Sequence, residues 1–286
     1  MKYLWKKEIV NKEEINIDLH DRGYQFGDGL YEVIFVYNGK LFTATEHIDR
    51  LFTGADKAEL TLNFTKQELR NLVEELVKTN KIESGYVYLQ VTRGDGVERD
   101  HHYPDPDAST PVLSGFTKHL ERKEALRATG VDAVVIPDMR WLHCDIKTLS
   151  LMGNVMAKHE AAKANVYEVI QQRDGFVTEC SSSNLLMIKD GEIITHPDGN
   201  LILPGITKIV VERCAKVLGI PYIERQFTVD ELIQADEVFL TSTTSEVLPI
   251  VKIDGQQIGD GKPGKLSQAL QQEFVHQIEA ECGSLQ

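Results

Sequence analysis

The sequence predicts an α+β protein of two domains, and three observations carry that expectation. Strand-like runs are joined by tight hairpin signals, first in "YEVIFVYNGKLF", where Asn38-Gly39 suits a two-residue turn. Helical stripes lie between them, and after the charged stretch around 118–124 the strand pattern restarts with "VDAVVIP". The expected division is a first domain over residues 1–118, a linker over 119–124 and a second domain over 125–286.

Each element has its own justification. A helix is expected from about His47, with Ile48, Leu51, Phe52 and Ala55 on one face. Thr65 and Glu68 form a capping box ahead of the stripe Leu69, Leu72, Val73, Leu76 and Val77. "YVYLQVTRG" alternates as a strand. In the second domain "LMGNVMAKHEAAKAN" reads as helix, and Asp174-Gly175, Asp190-Gly191 and Asp254-Gly255 mark three hairpins. A helix capped by Thr207 should stop at Gly219, and a closing helix carries Leu266, Leu270, Phe274 and Ile278.

Composition narrows the function. A net charge of −13 disfavours nucleic acid or an anionic membrane as partner, since either wants a basic face. No apolar run reaches the roughly 20 residues that span a bilayer, and the N-terminus lacks the apolar core of a signal peptide. Cys144, Cys180, Cys214 and Cys282 form no C-x-x-C pair, so reduced thiols in a cytoplasm are expected.

Several motifs fail on inspection. "GDGKPGKL" has Leu266 where a phosphate loop needs a hydroxyl, and Pro263 removes a backbone donor; a turn into a helix is expected. "HEAAK" has Lys163 where a zinc site needs its second histidine. "RGDG" at 93–96 reads as a turn, and adjacent His101 and His102 chelate one metal poorly, so no metal is expected.

Four features fit one chemistry. In "RWLHCDIKTLSLMGNV" Lys147 stands among apolar neighbours, where desolvation would favour its neutral, nucleophilic amine; a lysine snorkelling at a helix edge is the plainer alternative. Glu179 precedes three serines and Asn184, so it could keep a heterocyclic nitrogen protonated or simply be a loop glutamate. "LPGIT" sets Gly205 before a helix whose free amides favour a phosphate, unless the turn only caps the helix; the hydroxyls of "TSTTSE" could join them. Arg50, in "EHIDRLF", suits either an internal salt bridge or a two-pronged phosphate clamp. Together these groups are what pyridoxal phosphate requires of a protein.

"DRGYQFGDGLYEV", "EHIDRL", "RWLHCDIKTLSL", "ECSSSN", "LPGIT" and "TSTTSE", in this order, resemble the fold-type IV aminotransferases that use pyridoxal phosphate, and within them the bacterial enzymes for D-amino acids. The resemblance runs from about residue 3 to the final helix. It implies a small N-terminal α/β domain, a larger C-terminal pseudo-barrel domain, a homodimer, and the cofactor in an interdomain cleft. It implies that Lys147 is the Schiff-base lysine and Glu179 the partner of the pyridine nitrogen. Arg50, the amides of Ile206 and Thr207, and Thr243 would bind the phosphate. Ser181, Ser182, Ser183 and Ser242 would line the cofactor, and Leu203 would support its ring. Tyr31, Arg99 and His101 would trap the substrate carboxylate, with His102 as the substitute for His101.

Amino transfer between a D-amino acid of the D-alanine type and a 2-oxo acid such as 2-oxoglutarate is the implied reaction. A branched-chain L-amino-acid aminotransferase or an aminodeoxychorismate lyase would share the lysine, the glutamate and the phosphate cup. Cys180 stands where relatives often have glycine, and Lys208 where arginine is common after "GIT"; neither removes a reacting group.

Overall fold

The computed structural model describes residues 1–285, and they form two compact units. The first comprises Met1–Glu121, Ile146–Leu151 and the described residues from Glu281 onward; the second comprises Arg122–Asp145 and Met152–Ala280.

The first unit is a six-stranded antiparallel sheet with helices packed on it. Its elements are β1 (Tyr3–Trp5), β2 (Glu8–Val10), α1 (Arg22–Phe26), β3 (Gly29–Tyr37), β4 (Lys40–Leu41), α2 (Ala44–Lys57), α3 (Lys66–Asn80), β5 (Ser84–Asp95) and β6 (Thr110–His119). The strand order is β2-β1-β6-β5-β3-β4. Asn38-Gly39 makes the β3–β4 turn with φ of 51° and 70°, the conformation that favours these residue types. α2 begins at Ala44, a turn before His47, and buries Ile48, Leu51 and Ala55. α3 has the capping box at Thr65 and Glu68, and it buries Leu69, Val73, Leu76 and Val77 in the same core as Ile34, Val36 and Val87. "RGDG" is no turn at its start: Arg93, Gly94 and Asp95 continue β5, because buried Arg93 is held by Asp28 at 2.9 Å.

The second unit is built on a nine-stranded mixed sheet. Its elements are α4 (Glu124–Thr129), β7 (Val131–Pro137), α5 (Met152–Lys163), β8 (Glu168–Arg173), β9 (Phe176–Cys180), β10 (Asn184–Lys189), β11 (Glu192–Thr195), α6 (Ile206–Leu218), β12 (Tyr222–Glu224), α7 (Val229–Ile233), β13 (Glu237–Ser242), β14 (Glu246–Ile253), β15 (Gln256–Gln257) and α8 (Lys265–Cys282). The order is β12-β11-β10-β13-β14-β7-β8-β9, with β15 paired to β14. β7 and β8 are parallel and α5 crosses between them, burying Ala157 and Ala161 against Val169. The Asp-Gly pairs at 174, 190 and 254 close the β8–β9, β10–β11 and β14–β15 hairpins.

α6 corrects one boundary. Thr207 is not the cap; the N-cap is Gly205, at φ −74° and ψ 131°, and Thr207 lies inside the first turn. A side chain at 205 has no room, since its Cβ would meet Asn184 Oδ1 at 1.9 Å. Leu270, Phe274 and Ile278 of α8 are buried, and no helix among the described residues is long and apolar enough to cross a membrane.

Candidate active site

Lys147 belongs to the short segment Ile146–Leu151, which meets β3 through an isolated antiparallel bridge between Thr148 and Leu30. The Tyr31 amide donates to the Lys147 carbonyl at 3.0 Å, and the Leu149 amide donates to the Gly29 carbonyl at 3.0 Å. Gly29 permits this approach: a Cβ there would meet Val91 O at 2.5 Å and Leu149 Cδ1 at 2.8 Å. Ile146 packs into the first core, so the segment is anchored on one side of the lysine and hydrogen-bonded on the other. Lys147 itself is half-buried, with Nζ 4.1 Å from the centre of the Tyr31 ring. Tyr31 stacks on Tyr88, and Tyr88 on Phe116, at centroid distances of 5.7 and 5.1 Å.

Neighbours on a strand point to opposite faces, and Glu32 turns toward α2. There His47 and Arg50, three residues apart on one helix face, both meet its carboxylate. Arg50 donates from Nε and Nη2 at 2.7 and 2.8 Å, and His47 Nδ1 lies 2.7 Å away. Burial would raise the Glu32 carboxyl, yet the charges and hydrogen bonds of Arg50 and His47 outweigh it and hold it far below the carboxylate range. Burial lowers His47, and the cations Arg50 and Lys147 add to that against the pull of Glu32. Neutral His47 therefore donates Nδ1–H to an ionised Glu32. Arg50 thus makes the internal salt bridge that its sequence context allows.

Arg99 and His101 come together elsewhere in this unit. The Arg99 guanidinium lies 4.6 Å from the centre of the Phe26 ring, and His101 lies 5.4 Å from the same ring. Buried Arg22 secures their loop by donating to the Asp100 carbonyl at 2.7 Å while bridging Asp28 at 2.8 Å. His102 is bonded to the Asp100 carboxylate at 2.8 Å. The described contacts join Arg99 and His101 to each other through Phe26, and join Tyr31 to Lys147.

In the second unit Glu179 lies on β9 and is 5% exposed. Its Oε2 accepts from Asn184 Nδ2 at 2.8 Å and from the Leu203 amide at 3.2 Å; its Oε1 accepts from Arg140 Nη1. Burial pushes the Glu179 carboxyl up, and Arg140 pulls against that without cancelling it. Asn184 also donates to the Leu203 carbonyl at 2.8 Å, which ties the glutamate to the turn before α6. That turn leaves the first amides of α6 without a side-chain cap, including those of Ile206 and Thr207. α6 packs against β13, which ends at half-buried Ser242, and half-buried Thr243 follows in the turn.

The serine cluster divides. Ser181 is committed to buried Glu168 at 2.5 Å, Ser182 is exposed, and the Ser183 carbonyl accepts from the Cys180 amide at 2.8 Å to close the turn. Leu203 meets Glu179 through its backbone. Glu32, His47, Asp138 and Arg140 were not singled out by the sequence. A signal existed for two of them: Glu32 sits inside "YEVIFV" and Asp138 directly ends "VDAVVIP", each a charge in or beside an apolar run, the criterion that marks Lys147.

The first unit thus carries a half-buried amine, and the second a buried carboxylate and an uncapped helix start near hydroxyls. Residues 29–253 match the family model for amino-transferase class IV, and the chain belongs to that family. It is 48% identical to a D-alanine aminotransferase of Listeria monocytogenes over 286 residues, covering 100% of this chain and 99% of that protein. It is 48% identical to a D-alanine aminotransferase of Staphylococcus aureus over 273 residues, 96% of each chain. Among solved structures, a branched-chain amino acid aminotransferase from Escherichia coli shares the fold at a TM-score of 0.88 and 23% identity, covering 100% of this chain and 95% of that one. A hypothetical aminotransferase from Mycobacterium tuberculosis, solved in its PLP-bound form, shares it at 0.84 and 21%, covering 98% of this chain and 99% of that one.

Proposed function

We propose that this chain is a D-amino-acid transaminase with pyridoxal 5'-phosphate as cofactor. It exchanges the amino group of a D-alanine-type amino acid with a 2-oxo acid such as 2-oxoglutarate, giving pyruvate and D-glutamate. The observation that carries this reading is 48% identity, end to end, to D-alanine aminotransferases.

The residues fit the cofactor. Glu179 has three protein donors among the described residues, and a carboxylate offers about four acceptor directions, so a pyridinium N–H completes the set. The amides of Ile206 and Thr207, with Thr243 and Ser242, offer neutral donors to a phosphate, and Arg50 adds a charge. Of the residues the resemblance assigns to the lining, Ser181 is committed to Glu168 and Ser182 is exposed, which leaves Ser183 and Leu203 as candidates beside Glu179. When bound, the cofactor supplies an aldehyde that captures amines and a ring that withdraws electrons. Lys147 Nζ would be the amine that meets the cofactor's aldehyde, and once free it would act as the base that takes the substrate's α-proton and returns it; general base catalysis of this kind contributes roughly a hundred- to ten-thousand-fold. Glu179 keeps the ring nitrogen protonated. Tyr31, Arg99 and His101 hold the substrate carboxylate and so set which enantiomer reacts.

The protein works as a homodimer in a reducing cytoplasm. Four free, buried thiols support the compartment, and Met139, Trp141, Met152, Val155 and Met156, all exposed in the second unit, support self-association.

A coupled assay tests the function. D-alanine with 2-oxoglutarate is expected to yield pyruvate, L-alanine to yield none, and Lys147→Ala to abolish turnover. Preference for L-leucine, or pyruvate released from aminodeoxychorismate without an amino acceptor, overturns the reading.

A further inference from the structure

Behind Glu179 stands a pair of charges that the chemistry above leaves without a task. Arg140, 8% exposed, holds Glu179 Oε1 with one arm. Most of the rest of Arg140 is spent on Asp138: its backbone amide and Nε both donate to Oδ1 at 3.0 Å, and Nη2 donates to Oδ2 at 2.8 Å and to the Leu201 carbonyl at 3.1 Å. Asp138, also 8% exposed, takes a further bond from the Thr178 hydroxyl at 2.8 Å and faces Arg173 at 3.4 Å. Thr178 adjoins Glu179 on β9, so one strand aligns both carboxylates with one guanidinium.

We infer that Asp138 and Arg140 are positioning residues that fix the aim and charge of Glu179, keeping it ionised to hold a proton on the cofactor's ring nitrogen. This rests on the role proposed above for Glu179.

The two neighbours act with opposite sign. A buried carboxylate left alone takes up a proton itself and cannot then stabilise a cationic ring. A guanidinium given wholly to Glu179 would neutralise its charge and so weaken its support of a cationic ring. By claiming most of Arg140, Asp138 moderates that pull, and its own negative charge opposes it further by raising Glu179. The Asp138 carboxyl is opposed by burial but held below its ordinary range by Arg140, so it remains an anion. The other titratable groups that act on Glu179 or on this pair are the Cys144 and Cys180 thiols, both raised by burial and so uncharged near neutrality. The spare acceptor direction lies on Oε1, the oxygen that Arg140 alone occupies, so a shift of Arg140 re-aims the lone pair offered to the ring.

The test reads Glu179 directly. Full-length protein with 13C-labelled glutamate carboxyls, free of cofactor, is titrated by NMR, with Glu179→Gln assigning the signal. Arg140→Met is expected to move the Glu179 midpoint up by about 1–3 pH units. Asp138→Asn should move it down, and Arg140→Lys should restore much of the wild-type value. In the holoenzyme the pH midpoint of the visible absorption should move in the same two senses, with kcat falling and KM for D-alanine unchanged. An unmoved midpoint, or shifts of one sign in both variants, overturns the inference. If Arg140→Met does not fold, Asp138→Asn alone decides, since only a downward shift upholds it. Wild-type protein that takes up no pyridoxal phosphate would sink the functional reading instead, and the carboxyl titration needs no cofactor.

Discussion

Glu32 can stay ionised inside an apolar strand because two partners on the next helix reach it. An isolated buried carboxylate would neutralise itself at large cost, whereas Glu32 receives both prongs of Arg50 and the Nδ1–H of His47. Glu32→Ala removes the buried carboxylate that Arg50 and His47 share, and denaturant unfolding is expected to show a loss of about 3–5 kcal/mol. Arg50→Lys keeps the charge and loses the fork. Its effect on cofactor is expected to be a rise of about 10- to 100-fold in dissociation constant, the worth of a charge-assisted hydrogen bond; equal affinity by fluorescence titration would remove Arg50 from the phosphate site. At this scale the sequence was partly legible. Lys147 and Glu179 stood out against their neighbours, but Glu32 meets His47 across 15 positions and Arg140 meets Glu179 across 39. No local rule of spacing links such pairs, since only the fold brings them together.

At the scale of elements, turn chemistry explains both what could be read and what could not. The four Asn-Gly and Asp-Gly turns were legible because their positive φ values exclude most other residues. The capping box of α3 was legible because both of its partners lie within one helical turn. The start of α6 was not, since Thr207 is the better capping residue in isolation. What decides it is Asn184 on β10, whose side chain lies against Gly205 while also holding Glu179. Gly205→Ala should therefore do two things at once. Crowding Asn184 is expected to cost about 1–3 kcal/mol, read as a lower melting temperature. Displacing Asn184 from Glu179 is expected to weaken cofactor uptake as well. A variant that melts like wild type and binds cofactor normally would show that the Asn184 side chain has room to move aside.

Over the whole molecule, two features escaped the sequence for one reason. Residues 146–151 count with the first unit, and β7 pairs in parallel with β14 more than a hundred positions away; neither leaves a periodic trace, because each depends on long-range closure. Acid stability is also a property of the whole chain, and its sign follows from the buried groups. Glu32, Asp138 and His47 all titrate lower in the folded protein than their ordinary values of 4.5, 3.8 and 6.5. The unfolded chain then binds their protons first, so their stabilisation is present above those values and is lost as pH falls. Glu179 is raised above 4.5, so its contribution is fully present below 4.5 and is lost as pH rises through its folded value. Relief of the −13 net charge on acidification also favours the folded state. Three groups oppose these two effects, and His47 is the first to act, below about pH 6.5. The informative quantity is a difference: His47→Gln removes that first step and leaves the carboxylates and the net charge almost untouched. Calorimetry of the two proteins from pH 7.5 to 5 is therefore expected to show wild type losing melting temperature relative to the variant, starting near pH 6.5. Parallel curves would mean that His47 keeps the same proton affinity folded and unfolded, and that Glu32 is balanced by Arg50 alone.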